Sequence, residues 1–112
     1  MNLPEPETLL RQLIDIPSIS GEEEAVGQFL QTLLANLSFE VQTQEVFPGR
    51  NNLLATRRGH EPRILLCSHI DTVPPYVPFR ETKDLIYGRG ACDTKGVITS
   101  MLHAGKSLLM EG

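Results

Sequence analysis

Apolar residues recur at helical spacing in three parts of this chain. Leu9, Leu10, Leu13 and Ile14 share one face of a helix predicted from about Glu5 to Ile14. Pro17 ends it, because a proline disfavours helical geometry at the residue before it, Ile16. Ser20, with Glu23 three residues on, reads as a capping box opening a second helix. That helix runs to about Asn36 and places Val26, Phe29, Leu30, Leu33 and Leu34 on one face. A third helix is predicted from about Thr94 to Met110, burying Val97, Ile98, Met101, Leu102, Leu108 and Leu109.

The segments between the helices follow a different period. "FEVQTQEVF" alternates Phe39, Val41 and Thr43 with polar residues, as a half-buried strand does. "PGRNN" is a turn, "LLATRR" a second strand, and "GHEP" the turn after it. "RILLCSHI", residues 63–70, is apolar on both faces at its start, as a central strand covered by helices should be. "VPPYVPF" reads as a loop, and "LIYGRGACDTKG" as a short strand running into a glycine-rich turn. The order predicts an α/β fold, a layered sheet with helices on both faces and ligand chemistry at the C-terminal ends of the strands.

Composition narrows the picture. At 112 residues the chain is at most one domain. Three helices and a few strands make a thin core for a layered sheet. Residues 1–112 are therefore expected to be the N-terminal portion of a larger domain. With four Phe, two Tyr and no Trp, the core must be aliphatic. A net charge of −4 without a basic stripe argues against nucleic acid or an anionic membrane as partner. No apolar run approaches the roughly 20 residues of a membrane span. The first residues show no basic segment followed by an apolar one, so a cytoplasmic location is expected. Cys67 and Cys92 are too few for a disulfide framework and read as small buried hydrophobes.

The chemistry gathers at two places. On the third strand Cys67, His69 and Asp71 share one side by the two-residue period, and His69 and Asp71 lie where the strand opens into a loop. A neutral imidazole is a good zinc ligand, and a carboxylate at its other nitrogen fixes the tautomer. The same pair also reads as a plain His–Asp hydrogen bond. Asp93 follows the "GRG" turn, where glycines permit positive φ and close backbone approach. It can be aimed at the strand end, or it can simply cap the third helix.

Together, "SHIDTVP" followed by "YGRGACDTKG" resembles the zinc-dependent metallopeptidase and deacylase family of acetylornithine deacetylase, succinyl-diaminopimelate desuccinylase, aminoacylase and carboxypeptidase G. "IDIPSISGEE" is similar to that family's opening segment, and "HIDTVPPYVPF" is most similar to the acetylornithine deacetylase branch. The resemblance covers the N-terminal part of a family member, a portion of its co-catalytic zinc hydrolase domain. It implies that His69 binds one zinc, that Asp71 is the catalytic acid orienting it, and that Asp93 bridges two Zn2+ ions, for which Co2+ can substitute. It also implies a cis peptide after Asp93, and hydrolysis of a small N-acyl amino acid or a short peptide by a complete protein that forms a homodimer. A dipeptidase or carboxypeptidase of the same family is the alternative substrate class. A catalytically inactive fragment, or a metal-binding or interaction module, is the alternative of another kind.

The family's remaining ligands, and the glutamate that takes the proton from water, are expected downstream of residue 112. Glu22, Glu23 and Glu24 read as helix-start residues rather than substitutes, and Glu81 sits in a predicted loop. Arg89 and Lys95 flank the site and read as surface charge and helix start. His60 reads as solvated in a turn, and His103 as lying on the surface of the third helix. "HAGKS" lacks the first glycine of a phosphate-binding loop and lies within a helix, so it is not one.

Overall fold

The computed structural model describes residues 2–111. Helix α1 spans Pro6–Ile14, α2 Glu24–Asn36 and α3 Lys95–Met110. Each buries one stripe. Leu9 and Leu13 of α1, Val26, Leu30 and Leu33 of α2, and Ile98 and Leu102 of α3 meet in one aliphatic core. Leu37, just past α2, joins them, and Phe29, Phe39, Leu53 and Ile70 pack on its margin. Val97 and Leu108 lie outside it, 47% and 51% exposed, on faces of α3 that no described element covers.

Strands β1 (Glu40–Phe47) and β2 (Arg50–Thr56) form an antiparallel hairpin that packs on α2. A second small antiparallel pair joins β3 (Arg80–Glu81) to β4 (Ile86–Tyr87). Glu81 is thus in a strand rather than a loop. These are separate two-stranded sheets, so the described residues show an α/β chain but not the expected single layered sheet.

The difference lies in residues 63–70, which form no ladder. A strand covered on both faces needs neighbours to take its N–H and C=O groups. The described residues supply none. Ile64, Leu65 and Leu66 are accordingly 72%, 79% and 48% exposed. No helix among the described residues is long and apolar enough to cross a membrane.

The start of α2 also departs from the sequence reading. Glu23 is the N-cap, without a side-chain capping bond, so there is no capping box. Instead its buried carboxylate accepts Nε–H and Nη2–H of Arg50 at 2.9 and 3.0 Å, and the N–H of Gly21. Burial pushes this carboxyl up, but Arg50 and Gly21 outweigh it and hold Glu23 below its ordinary value of 4.5. Stability from such a group is complete above the unfolded value and is lost as pH falls through the lower, folded one. Thermal melts of the complete protein should lose the Glu23 contribution only as pH drops below 4.5. Glu23→Gln should flatten that part of the profile, and an unchanged acid limb would contradict the assignment.

Lys95 is not surface charge. It is 2% exposed, and its Nζ donates to the carbonyls of Leu13 and Ile16, each at 2.7 Å. Burial pulls its pKa down to about 8. The side chain closes the C-terminal end of α1 from the first turn of α3. Lys95→Met keeps the length but removes the donor, and an orphaned buried acceptor costs about 1–3 kcal/mol. We expect a loss of about 2 kcal/mol or more in the complete protein, read as a lower urea midpoint. An unchanged midpoint would show that the two carbonyls find other partners.

Candidate metal centre

Three segments meet at residues 69–72. The N–H of Thr72 donates to Ser18 O at 2.9 Å and the N–H of Ser20 to Thr72 O at 3.0 Å, making a parallel bridge between Ile19 and Thr72. Ser18 Oγ donates to Ile70 O at 2.9 Å. The opening segment thereby holds the end of the predicted third strand without a sheet beside it.

The glycine turn closes from the other side. Gly88 has φ +149° and Gly90 φ +91°. A Cβ on Gly88 would lie 2.6 Å from Ile14 Cγ2, and one on Gly90 2.9 Å from Thr72 Cγ2. Both the backbone conformation and the close approach require glycine. Arg89 is tied down as well, its Nε donating to Pro75 O at 2.8 Å. The peptide between Asp93 and Thr94 is cis, as the resemblance implies, and Thr94 Oγ1 donates to His69 O at 2.6 Å. Thr94, not Asp93, is the N-cap residue of α3.

This packing brings the three candidate residues together. His69 Nδ1 lies 2.9 Å from Asp71 O and 3.0 Å from Asp71 Oδ1, and its Nε2 lies 3.0 Å from Asp93 Oδ1. Asp71 Oδ2 accepts a hydrogen bond from Ser20 Oγ at 2.5 Å. Burial alone would lower the pKa of His69. Hydrogen bonds to the Asp71 carbonyl and the Asp93 carboxylate, with the negative charges of the Asp71 and Asp93 side chains, reverse this and raise it above the ordinary 6.5. The Ser20 hydroxyl, opposed by burial and helped by His69, holds Asp71 below its ordinary value.

The donor set fits a cation. Both neighbours of Nδ1 are acceptors, so Nδ1 carries a proton. In neutral imidazole the lone pair of Nε2 then faces a carboxylate oxygen, an arrangement that wants positive charge between the two atoms. A proton can supply it. So can a metal, because ligands at about 2.0–2.1 Å from one zinc can stand 3.0 Å apart. Asp93 is 78% exposed, and its Oδ2 has no hydrogen-bond partner among the described residues. Among those residues no group of three or more His, Cys, Asp or Glu is placed to hold a metal.

The pattern of peptidase family M20/M25/M40 matches residues 65–112, the stretch that holds His69, Asp71 and Asp93. The chain belongs to this family. A protein of Emericella nidulans named as a carboxypeptidase is 40% identical over 114 residues, covering 93% of this chain and 27% of its own length. Succinyl-diaminopimelate desuccinylase of Corynebacterium glutamicum is 38% identical over 109 residues, covering 95% of this chain and 29% of its own. The LysW-lysine hydrolase of Deinococcus radiodurans is 35% identical over 101 residues, covering 89% of this chain and 27% of its own. The chain thus spans less than a third of the length of these M20/M25/M40 relatives.

Other sequence expectations fare unevenly in this M20/M25/M40 chain. Cys67 and Cys92 are both exposed, not buried hydrophobes, because the segment carrying Cys67 has no strand beside it. His60 is exposed as expected, but His103 is half-buried with Nε2 3.0 Å from Pro4 O. Glu23 is bound to Arg50, while Glu22 and Glu24 are exposed. Ser20 and Lys95 are the neighbours of the site that sequence reasoning misses. Ser20 has a complete local explanation in the S-x-x-E pattern, and its partner Asp71 is 51 residues away. Lys95 offers one signal, a long cation set beside Gly96 at a helix start, but nothing in the sequence shows that it turns inward.

Proposed function

We propose that this chain is the N-terminal portion of the catalytic domain of a two-zinc hydrolase, and that the complete protein cleaves the amide bond of an N-acyl amino acid of the acetylornithine type. The convergence of His69 Nε2 and Asp93 Oδ1 at 3.0 Å, with Asp71 behind the imidazole, carries this reading. Membership of the peptidase family supports it, as does the likeness to a desuccinylase. Zinc, when bound, supplies a Lewis acid for the carbonyl and lowers the pKa of a water.

The protein residues have separate tasks. His69 presents Nε2 as a ligand while its Nδ1–H is held by Asp71. That hydrogen bond fixes the tautomer, and the negative charge behind the ring makes Nε2 a better donor to a cation. Asp93 offers two carboxylate oxygens from one rigid turn, which suits a ligand shared by two ions. Lys95 positions backbone rather than contacting substrate, since its buried Nζ donates to two carbonyls of this chain, and Arg89 ties the glycine turn to Pro75 through its Nε.

A peptide substrate is the second reading, favoured by the 40% identity to the protein named as a carboxypeptidase. A panel of N-acetylornithine, N-succinyl amino acids and dipeptides, assayed with the complete protein before and after chelation, separates the two. Chelator-sensitive hydrolysis of acyl amino acids supports the first, and hydrolysis confined to peptides supports the second. Activity that survives thorough chelation would overturn the metal reading in either form.

A further inference from the structure

We propose that Ser20 is a positioning residue for the metal centre, acting through Asp71. The inference rests on the metal reading of His69 and Asp93 and extends it to the opening segment of the chain.

Asp71 has two carboxylate oxygens with different partners. Oδ1 faces His69 Nδ1 at 3.0 Å, and Oδ2 accepts the Ser20 hydroxyl at 2.5 Å. A carboxylate held at one oxygen is free to swing, because rotation about its last torsion is broad and soft. Held at both, its plane is fixed and Oδ1 stays directed at the imidazole. The hydroxyl has one proton to give. Its other acceptor within reach, Thr72 O, is at 3.5 Å, so the geometry favours Asp71. A short O–H···O⁻ bond of this kind is stronger than a neutral one.

The hydroxyl is itself delivered by a fixed backbone. The N–H of Ser20 donates to Thr72 O at 3.0 Å, and the N–H of Thr72 donates to Ser18 O at 2.9 Å. Ser20 is therefore paired with the residue next to Asp71. Beyond it, the Glu23 carboxylate grips Gly21 N–H and Arg50, which secures the far side of the same loop. A chain of contacts runs from the buried Glu23 carboxylate, paired with the exposed Arg50, through Ser20 and Asp71 to Nδ1 of His69. The Ser20 hydroxyl is engaged by Asp71 and so acts on the ion only through it, setting the angle at which His69 would meet the ion.

The test is a Co2+ titration of the metal-free complete protein, followed by visible absorption. The binding step that His69→Ala abolishes is the one to read. Loss of a partner behind a metal ligand commonly weakens binding or activity by roughly 10–100-fold, and Ser20 acts one bond further out, so Ser20→Ala should weaken that step by about tenfold. Ser20→Thr, which keeps the hydroxyl, should restore it. Ser20→Ala should add nothing on an Asp71→Asn background, because the two share one route. Rescue and non-additivity separate positioning from a general loss of folding. Wild-type affinity in Ser20→Ala, or an equal loss on the Asp71→Asn background, would overturn the proposal while leaving the metal reading intact. An unchanged titration in His69→Ala would overturn the metal reading itself, and this inference with it.

Discussion

Replacing Asp93 with alanine in the complete protein is expected to abolish amide hydrolysis and to release both metals. His69→Ala should remove a ligand from one of them. The two substitutions differ because a carboxylate can join two ions and an imidazole nitrogen binds one. A metal site contributes several kcal/mol of charge stabilisation, and each 1.36 kcal/mol is tenfold in rate, so either substitution should lower kcat by about 10³-fold or more. Asp71→Asn should behave differently again. It leaves both ligands in place and changes only what holds Nδ1–H, so at saturating zinc it should keep the metal while turnover falls roughly 10–100-fold. Metal content by atomic absorption, measured beside kcat, separates the three. Full zinc content in Asp93→Ala would refute the bridging role.

The second large effect concerns the 112 residues taken alone. This chain should show no measurable amidase activity, even with excess zinc. His69 and Asp93 are two donors, whereas a closed zinc site commonly has four. Zinc affinity depends on a preformed set of deprotonated ligands, which two residues supply only in part. A general acid–base group is worth about 10²- to 10⁴-fold on its own, and Asp71, the carboxylate beside the pair, already has both oxygens engaged by His69 Nδ1 and Ser20 Oγ.

The same chain should also self-associate. Ile64, Leu65 and Leu66 are exposed in sequence, with their backbone groups unpaired in any ladder, and Met110 is 78% exposed at the far end of α3. An apolar segment with free N–H and C=O groups is a template for pairing with another chain. Light scattering and dye binding should report oligomers or a loosely packed species. A sharp two-state melt of a monomer at micromolar concentration, or acetylornithine hydrolysis that chelator abolishes and zinc restores, would contradict this account. The latter would mean that a second copy of the chain completes the site.

Much of the fold is legible because it is local. The stripes of α1, α2 and α3 follow from a 3.6-residue period, and the β1–β2 hairpin from alternation around Pro48–Gly49. His69 and Asp71 share a side because the strand period is two, a property the segment keeps even without a ladder. Periodicity gives a face but not a partner, so the pattern of residues 63–70 cannot tell a paired strand from an unpaired one. The same limit explains Cys67, Val97 and Leu108, whose exposure depends on what lies against them. Ser20, Glu23 and Lys95 are missed for another reason. Each forms its decisive contact 27 to 82 residues away, while a plausible local role occupies the reader of the sequence.

Crystals of the complete protein grown with zinc, measured at the zinc absorption edge, test the central claim most directly. The account predicts two anomalous peaks, one at about 2.0–2.1 Å from His69 Nε2 and both within ligand distance of Asp93. Well-occupied zinc peaks elsewhere, with His69 and Asp93 still hydrogen-bonded to each other, would contradict it.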